Sequence, residues 1–289
     1  MKQVVSLVLL CLITLPGLGQ IKLFKNNGIQ RKGELYIHWG YNRSAYTKSN
    51  IELKGDGYDF ELRGVKASDR QSPADLEVYL GPTSFTIPQY DFSIGYFIQK
   101  GLCVSLNIDH MKYVVNQNQV VKMSGYVQES NTTHDGIYDN QDKMITGDFL
   151  TFEHTDGLNY VNVVLDRYVQ LFSSQSNKLS CSVLGGLGAG ILYPRSNVRL
   201  FEEGADEYQL AGYGFAGDVG LDFKFFKWVI LQGQVKGGYI NMPAITTHGP
   251  SKSNRAKQSF WFFQGMVLIG LNIPFSDFCS KTSTTETTQ

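Results

Sequence analysis

The residues best equipped for chemistry in this sequence are two histidines set among carboxylates. His110 follows Asp109 and stands two residues before Lys112, while His154 lies between Glu153 and the pair Asp156 and Asn159. Two imidazoles with a carboxylate form the donor set of non-haem iron and related divalent-metal sites, and the same groups can serve as general acid and base. His110, His154, Asp156 and Asp109 are therefore the candidate catalytic residues, and His110, His154, Asp156 and Glu153 the candidate ligands of a divalent metal. The alternative is a solvated polar rim, where His and Asp are common without a task. The choice depends on how the intervening chain positions the two stretches.

The clearest element is Gly212 to Tyr239. Between Tyr213 and Phe223 the odd positions read Tyr, Phe, Gly, Val, Leu, Phe and the even ones Gly, Ala, Asp, Gly, Asp. A tight turn near Phe225 to Lys227 is followed by the same alternation, with Val229, Leu231, Val235 and Tyr239 set against Gln232, Gln234 and Lys236. A strict period of two means a strand, and an apolar face with aromatic residues at its ends suits lipid between two interfaces. The spacing predicts a transmembrane β-hairpin.

Similar alternation occurs at Glu34 to Ala45, Ile87 to Ile98, Leu102 to Tyr113, Leu158 to Phe172, Leu179 to Leu192 and Ser259 to Ile273, giving eight strands with the hairpin. Short connections (Gln99 to Gly101, Ser173 to Lys178, Lys224 to Lys227) alternate with long ones (Tyr46 to Thr86, Val114 to Gly157, Tyr193 to Ala211, Ile240 to Gln258). Outer-membrane barrels have short periplasmic turns and long outer loops, so both termini are expected in the periplasm. Tyr58 to Lys66 and Gln119 to Val127 also alternate and would make ten strands. Counting them breaks the short-long rule, which places them as hairpin extensions above the bilayer. The fold class is thus all-β, an antiparallel transmembrane barrel of eight strands, with ten as the alternative.

Side-chain direction follows. Leu35, Ile37, Trp39, Tyr41, Tyr90, Phe92, Ile94 and Tyr96 should face lipid, while Tyr36, His38, Asn42, Asp91, Ser93, Phe97, Asp166, Asp218, Asp222 and Lys236 should face inward. Eight strands leave room for side chains and little else, which argues against a wide pore. On this register His110 falls on the lipid-facing side at the height of the outer-leaflet head groups, where a polar group usually has a partner or a function.

Composition agrees with this architecture. Charged residues are 18%, aromatics 13%, and glycine numbers 30, a mixture suited to many packed strands. Formal net charge is zero and no basic run is present, so nucleic acid is not an expected partner. Residues 1–19 read as a secretory signal peptide, with Lys2, an apolar core from Val4 to Leu15, and Gly17 and Gly19 before the cleavage point. Residues 20–33 would form a periplasmic segment, 34–275 the barrel and 276–289 a disordered Thr- and Ser-rich tail. Cys103, Cys181 and Cys279 show no metal-ligand spacing, and no essential disulfide is expected. The stretch from Gly270 to Phe275 resembles the terminal signal read by the barrel-assembly machinery, an expected partner in biogenesis; outer-membrane lipids and lipopolysaccharide are the others.

The stretch Phe152-Glu-His-Thr-Asp-Gly-Leu-Asn-Tyr160, followed by Gly188-Ala-Gly190 and Pro194, resembles the bacterial outer-membrane lipid A oxidase family over residues 145–240. Thr155, Asp156, Gly157, Leu158 and Asn159 are the matching positions. The resemblance implies oxygen-dependent oxidation of the proximal glucosamine of lipid A, with a divalent metal. Trp39-Gly-Tyr-Asn42 and Gly55-Asp-Gly-Tyr-Asp-Phe60 resemble segments of outer-membrane barrels of the Bacteroidetes type. Two readings therefore stand: a lipid A modifying enzyme acting at the outer leaflet, or a non-enzymatic barrel of the OmpA type with a structural or surface-binding role. No Gly-x-Ser-x-Gly elbow or phosphate-binding glycine loop is present.

Overall fold

The structure, a computed structural model, describes residues 31–174, 176, 178–247 and 254–274. The expected signal peptide, the segment before Arg31, Phe275, Cys279 and the tail 276–289 lie outside the described residues. The strands are β1 (Glu34–Tyr46), β2 (Ser49–Gly55), β3 (Tyr58–Val65), β4 (Ala67–Ser68), β5 (Tyr90–Gln99), β6 (Leu102–Val115), β7 (Gln119–Val127) and β8 (Gly136–Ile145). They continue with β9 (Leu150–Ser173), β10 (Leu179–Leu192), β11 (Arg195–Leu200), β12 (Glu203–Tyr208), β13 (Gly212–Phe225), β14 (Val229–Thr246) and β15 (Arg255–Pro274). One helical turn, α1 (Leu76–Leu80), interrupts the first long connection.

Eight strands close a ring in the order β1-β5-β6-β9-β10-β13-β14-β15, and β15 pairs back to β1 from Pro274 opposite Glu34 to Phe262 opposite Tyr46. Closure satisfies the backbone on both sides of each of these strands, as hydrocarbon demands. These are the eight strands expected from the alternation, and the pieces that would have made ten fall in β3 and β7, outside the ring. The turn between β13 and β14 has Phe226 and Lys227 at φ 50° and 70°, the twist that two-residue hairpins favour.

Outward positions of the ring carry a band of exposed apolar side chains, including Val163, Leu165, Leu187, Val219, Val267 and Ile269. Tyr193, Tyr213 and Trp261, with the half-buried Tyr239 packed on Trp261, edge the band toward the long connections, and Tyr96, Phe226 and Trp228 toward the short turns. The inward positions are buried and polar. Lys236 Nζ lies 2.6 Å from Asp109 Oδ2, and Asp91 Oδ1 accepts from Asn42 Nδ2 at 3.0 Å and Gln264 Nε2 at 2.9 Å. Near the short turns Arg31 donates to Asp222 at 3.1 Å and Asn272 at 3.1 Å, with its guanidinium 4.3 Å from the Phe97 ring centroid. Such packing leaves no wide bore.

The other end departs from a set of loops. There β2, β3, β7 and β8 continue the sheet from β15, while β11 and β12 extend it from β9. Ile51, Leu53, Phe60, Tyr113, Met123, Phe149, Phe152 and Val198 meet in a buried core between these strands and the prolonged barrel strands. Each such side chain contributes roughly 1.5–3 kcal/mol by leaving water, so this end is a packed β-sheet head.

Candidate functional site

β6 and β9 hold every residue proposed for the metal or for acid and base. Their register sets His110 opposite Asn159 and Tyr113 opposite His154, with a slip between Met111 and Tyr113. The slip absorbs Thr155, Asp156 and Gly157, the core of the segment that resembles lipid A oxidases, so that segment is a β-bulge. Gly157 sits at φ +121°, and a Cβ there would lie 2.6 Å from Asn159 Oδ1. Glycine is required by backbone shape and by the close approach of Asn159.

His110 points outward, as the alternation indicated. Its ring stacks on Tyr90 at 4.6 Å, and Tyr90 stacks on Trp39 at 4.7 Å. Asn159 gives its Nδ2 to the Tyr193 carbonyl at 3.1 Å, which turns its Oδ1 toward His110 Nδ1 at 2.8 Å. That arrangement makes Nδ1 the donor and leaves Nε2 the lone pair in the neutral ring. Trp39, Tyr90 and His110 thus form a shelf of rings at the boundary of the apolar band.

His154 points the other way. It is fully buried between Tyr113, at 5.8 Å, and Phe152, at 5.4 Å, in the core of the head, and neither ring nitrogen has a hydrogen-bond partner among the described residues. This part of β9 lies above the membrane band, and burial lowers the His154 pKa to about 3, so the ring is neutral at neutral pH. The expectation that adjacent strands bring His110 and His154 to one site is therefore corrected. The register places them on opposite faces of the sheet.

The carboxylates are also dispersed. Asp109 faces the lumen and pairs with Lys236. Asp156 is exposed and pairs with Arg195 at 2.8 Å, which also holds Asp206 at 3.1 Å. Glu153 pairs with Arg70 at 2.9 Å and accepts from Asn197 Nδ2 at 3.1 Å. Among the described residues no three His, Cys, Asp or Glu side chains converge as a metal-ligand set. The residues do not fit the divalent metal that the resemblance implied.

The sequence reading named Lys112 beside His110 without a role and passed over Arg43. Arg43 donates to Gln89 Oε1 at 3.3 Å and to the Tyr79 hydroxyl at 2.5 Å, and the partly buried Lys112 stands at the bulge. They are scattered singly in the sequence, so no charge run signals them.

The closed antiparallel ring of eight strands, apolar and aromatic-edged outside and polar inside, defines an outer-membrane β-barrel. Among solved structures the chain is similar to the outer membrane protein OprG from Pseudomonas aeruginosa, with 14% identity, 85% of this chain and 98% of that chain covered, and a TM-score of 0.41. It is similar also to Neisserial surface protein A, at 11% identity, 84% and 99% coverage and a TM-score of 0.34. A third is the Escherichia coli outer membrane protease OmpT, at 6% identity, 88% and 98% coverage and a TM-score of 0.25. These likenesses carry no functional assignment. No family model matches the sequence, and no curated protein matches it.

Proposed function

We propose that the protein is a non-catalytic outer-membrane barrel that anchors its β-sheet head on the cell surface as a binding or structural module. In this reading both termini are periplasmic and the barrel-assembly machinery acts on β15 during biogenesis. The observation that supports it is the apolar core of the head, continuous with the barrel strands, which makes the surface end a rigid display. Lys112, Arg43 and Arg70, beside the ring shelf, suit the phosphates of lipopolysaccharide, with Trp39 and Tyr90 at the head-group level.

Mass spectrometry of lipid A from cells with and without the gene tests this reading, and an unchanged profile is expected. A species that disappears with the gene would overturn it in favour of the lipid A modifying enzyme, which keeps one supporting observation, the outward His110 at the membrane boundary. Orientation is read separately. In a background lacking the native cysteines, Glu129→Cys should react with an impermeant reagent on whole cells and Ser174→Cys should not.

A further inference from the structure

The lumen holds more carboxylates than its cations balance. Asp91, Asp109, Asp166 and Asp218 are buried around one void, and among the described residues Lys236, tied to Asp109, is the only cation in its lining. Four carboxylates against one ammonium would leave three negative charges in a medium of low dielectric, a large cost unless protons or a cation neutralise them.

Two of these carboxyls are brought together by an absent side chain. Gly186 on β10 has Asp166 of β9 and Asp218 of β13 as its two register partners. A Cβ on Gly186 would lie 2.2 Å from Asp166 Oδ1, so the glycine leaves the space in which this carboxyl sits. Among the described residues Asp166 Oδ1 and Asp218 Oδ1 find no hydrogen-bond partner, and neither does Gln232 Oε1. The Gln232 amide nitrogen is already given to Gln234 Oε1 at 2.9 Å, which fixes its oxygen as the free end. Asp166, Asp218 and Gln232 all line the same void of about 20 Å³, room for a body the size of one water molecule. Water there would satisfy hydrogen bonds and leave the charge, and a proton shared by the carboxyls would leave Gln232 Oε1 unmet; a cation answers both needs.

We propose that this void is a site for one small hard cation of the calcium class, bound by the carboxylates of Asp166 and Asp218 and the amide oxygen of Gln232. Oxygen-only donors, two of them carboxylates, match that class and disfavour the softer metals. The site is separate from the histidines on β6 and β9. It lies between the apolar core of the head and the Arg31 plug, so the ion is captured as the barrel closes and exchanges slowly afterwards.

The test is to refold the urea-unfolded full chain into detergent micelles with calcium chloride or with EDTA, remove free ions, and measure bound metal and the thermal midpoint. Calcium-refolded protein should retain about one equivalent per chain and melt at a higher temperature than EDTA-refolded protein. Asp218→Asn should lose both effects, while Asp59→Asn, on the exposed face of the head, should keep them. Folded wild-type protein with no bound calcium and equal midpoints would overturn the proposal and leave a proton shared between the two carboxyls. Should Asp218→Asn fail to fold, the metal content of the wild-type protein still decides.

Discussion

At the scale of single residues, the two histidines differ in what they do because strand parity sends one out and one in. His154 is held neutral by burial, its pKa down at about 3 from the usual 6.5. An unfolded or opened head therefore binds one more proton than the closed head between those values, and stability falls as pH drops below about 6.5. The neighbouring Tyr113 is pushed up to about 12 by burial and does not titrate in that window. Hydrogen exchange of the head amides should show opening easier by about 2 kcal/mol at pH 5 than at pH 7, and His154→Phe should flatten the slope. An unchanged slope in the variant would place the proton elsewhere. Lys236→Met should cost about 3–5 kcal/mol, since Asp109 then stays buried without its partner; urea titration of the folded barrel in lipid vesicles measures it. At the rim, Lys112→Glu with Arg70→Glu should lower the lipopolysaccharide that co-purifies with the barrel, measured by its phosphate content.

At the scale of elements, the alternation of the β13–β14 hairpin became the outer and inner faces of the ring. Val219, 57% exposed on the outside, opposes Val235, while Gln232 is buried inside. Val219→Arg should lose about 2–4 kcal/mol in vesicles because a guanidinium meets hydrocarbon, and a loss below 1 kcal/mol would mean that the position lies off the membrane. β3 and β7 were also legible, since each alternates. β8 and β12 were not: the first reads Gly-Ile-Tyr-Asp-Asn-Gln-Asp-Lys-Met-Ile and is mostly exposed, the second is acidic, and neither shows a period of two. Their strand state comes from pairing with β7 and β11, a partner effect that local pattern does not carry.

At the scale of the whole molecule, the packed lumen, the Arg31 plug and the core of the head leave no bore, so the purified barrel in planar bilayers should show no steady ionic current. A stable open conductance would refute the closed lumen. The sequence by itself determined the membrane class, the eight ring strands and which side chains face lipid, because a strand between lipid and lumen must alternate and outer-membrane barrels set short turns and long connections in turn. Only the tertiary structure decided the site. The bulge at Thr155 to Gly157 slips β9 against β6 by two residues, which keeps every face but sets His154 opposite Tyr113, inside the core of the head and on the other face of the sheet from His110. The meeting of Asp166 and Asp218 over Gly186 was likewise beyond the sequence, since it depends on the register of three strands. Periodicity is a local property of one strand; convergence of side chains is set by the stagger between strands, which long-range pairing alone fixes.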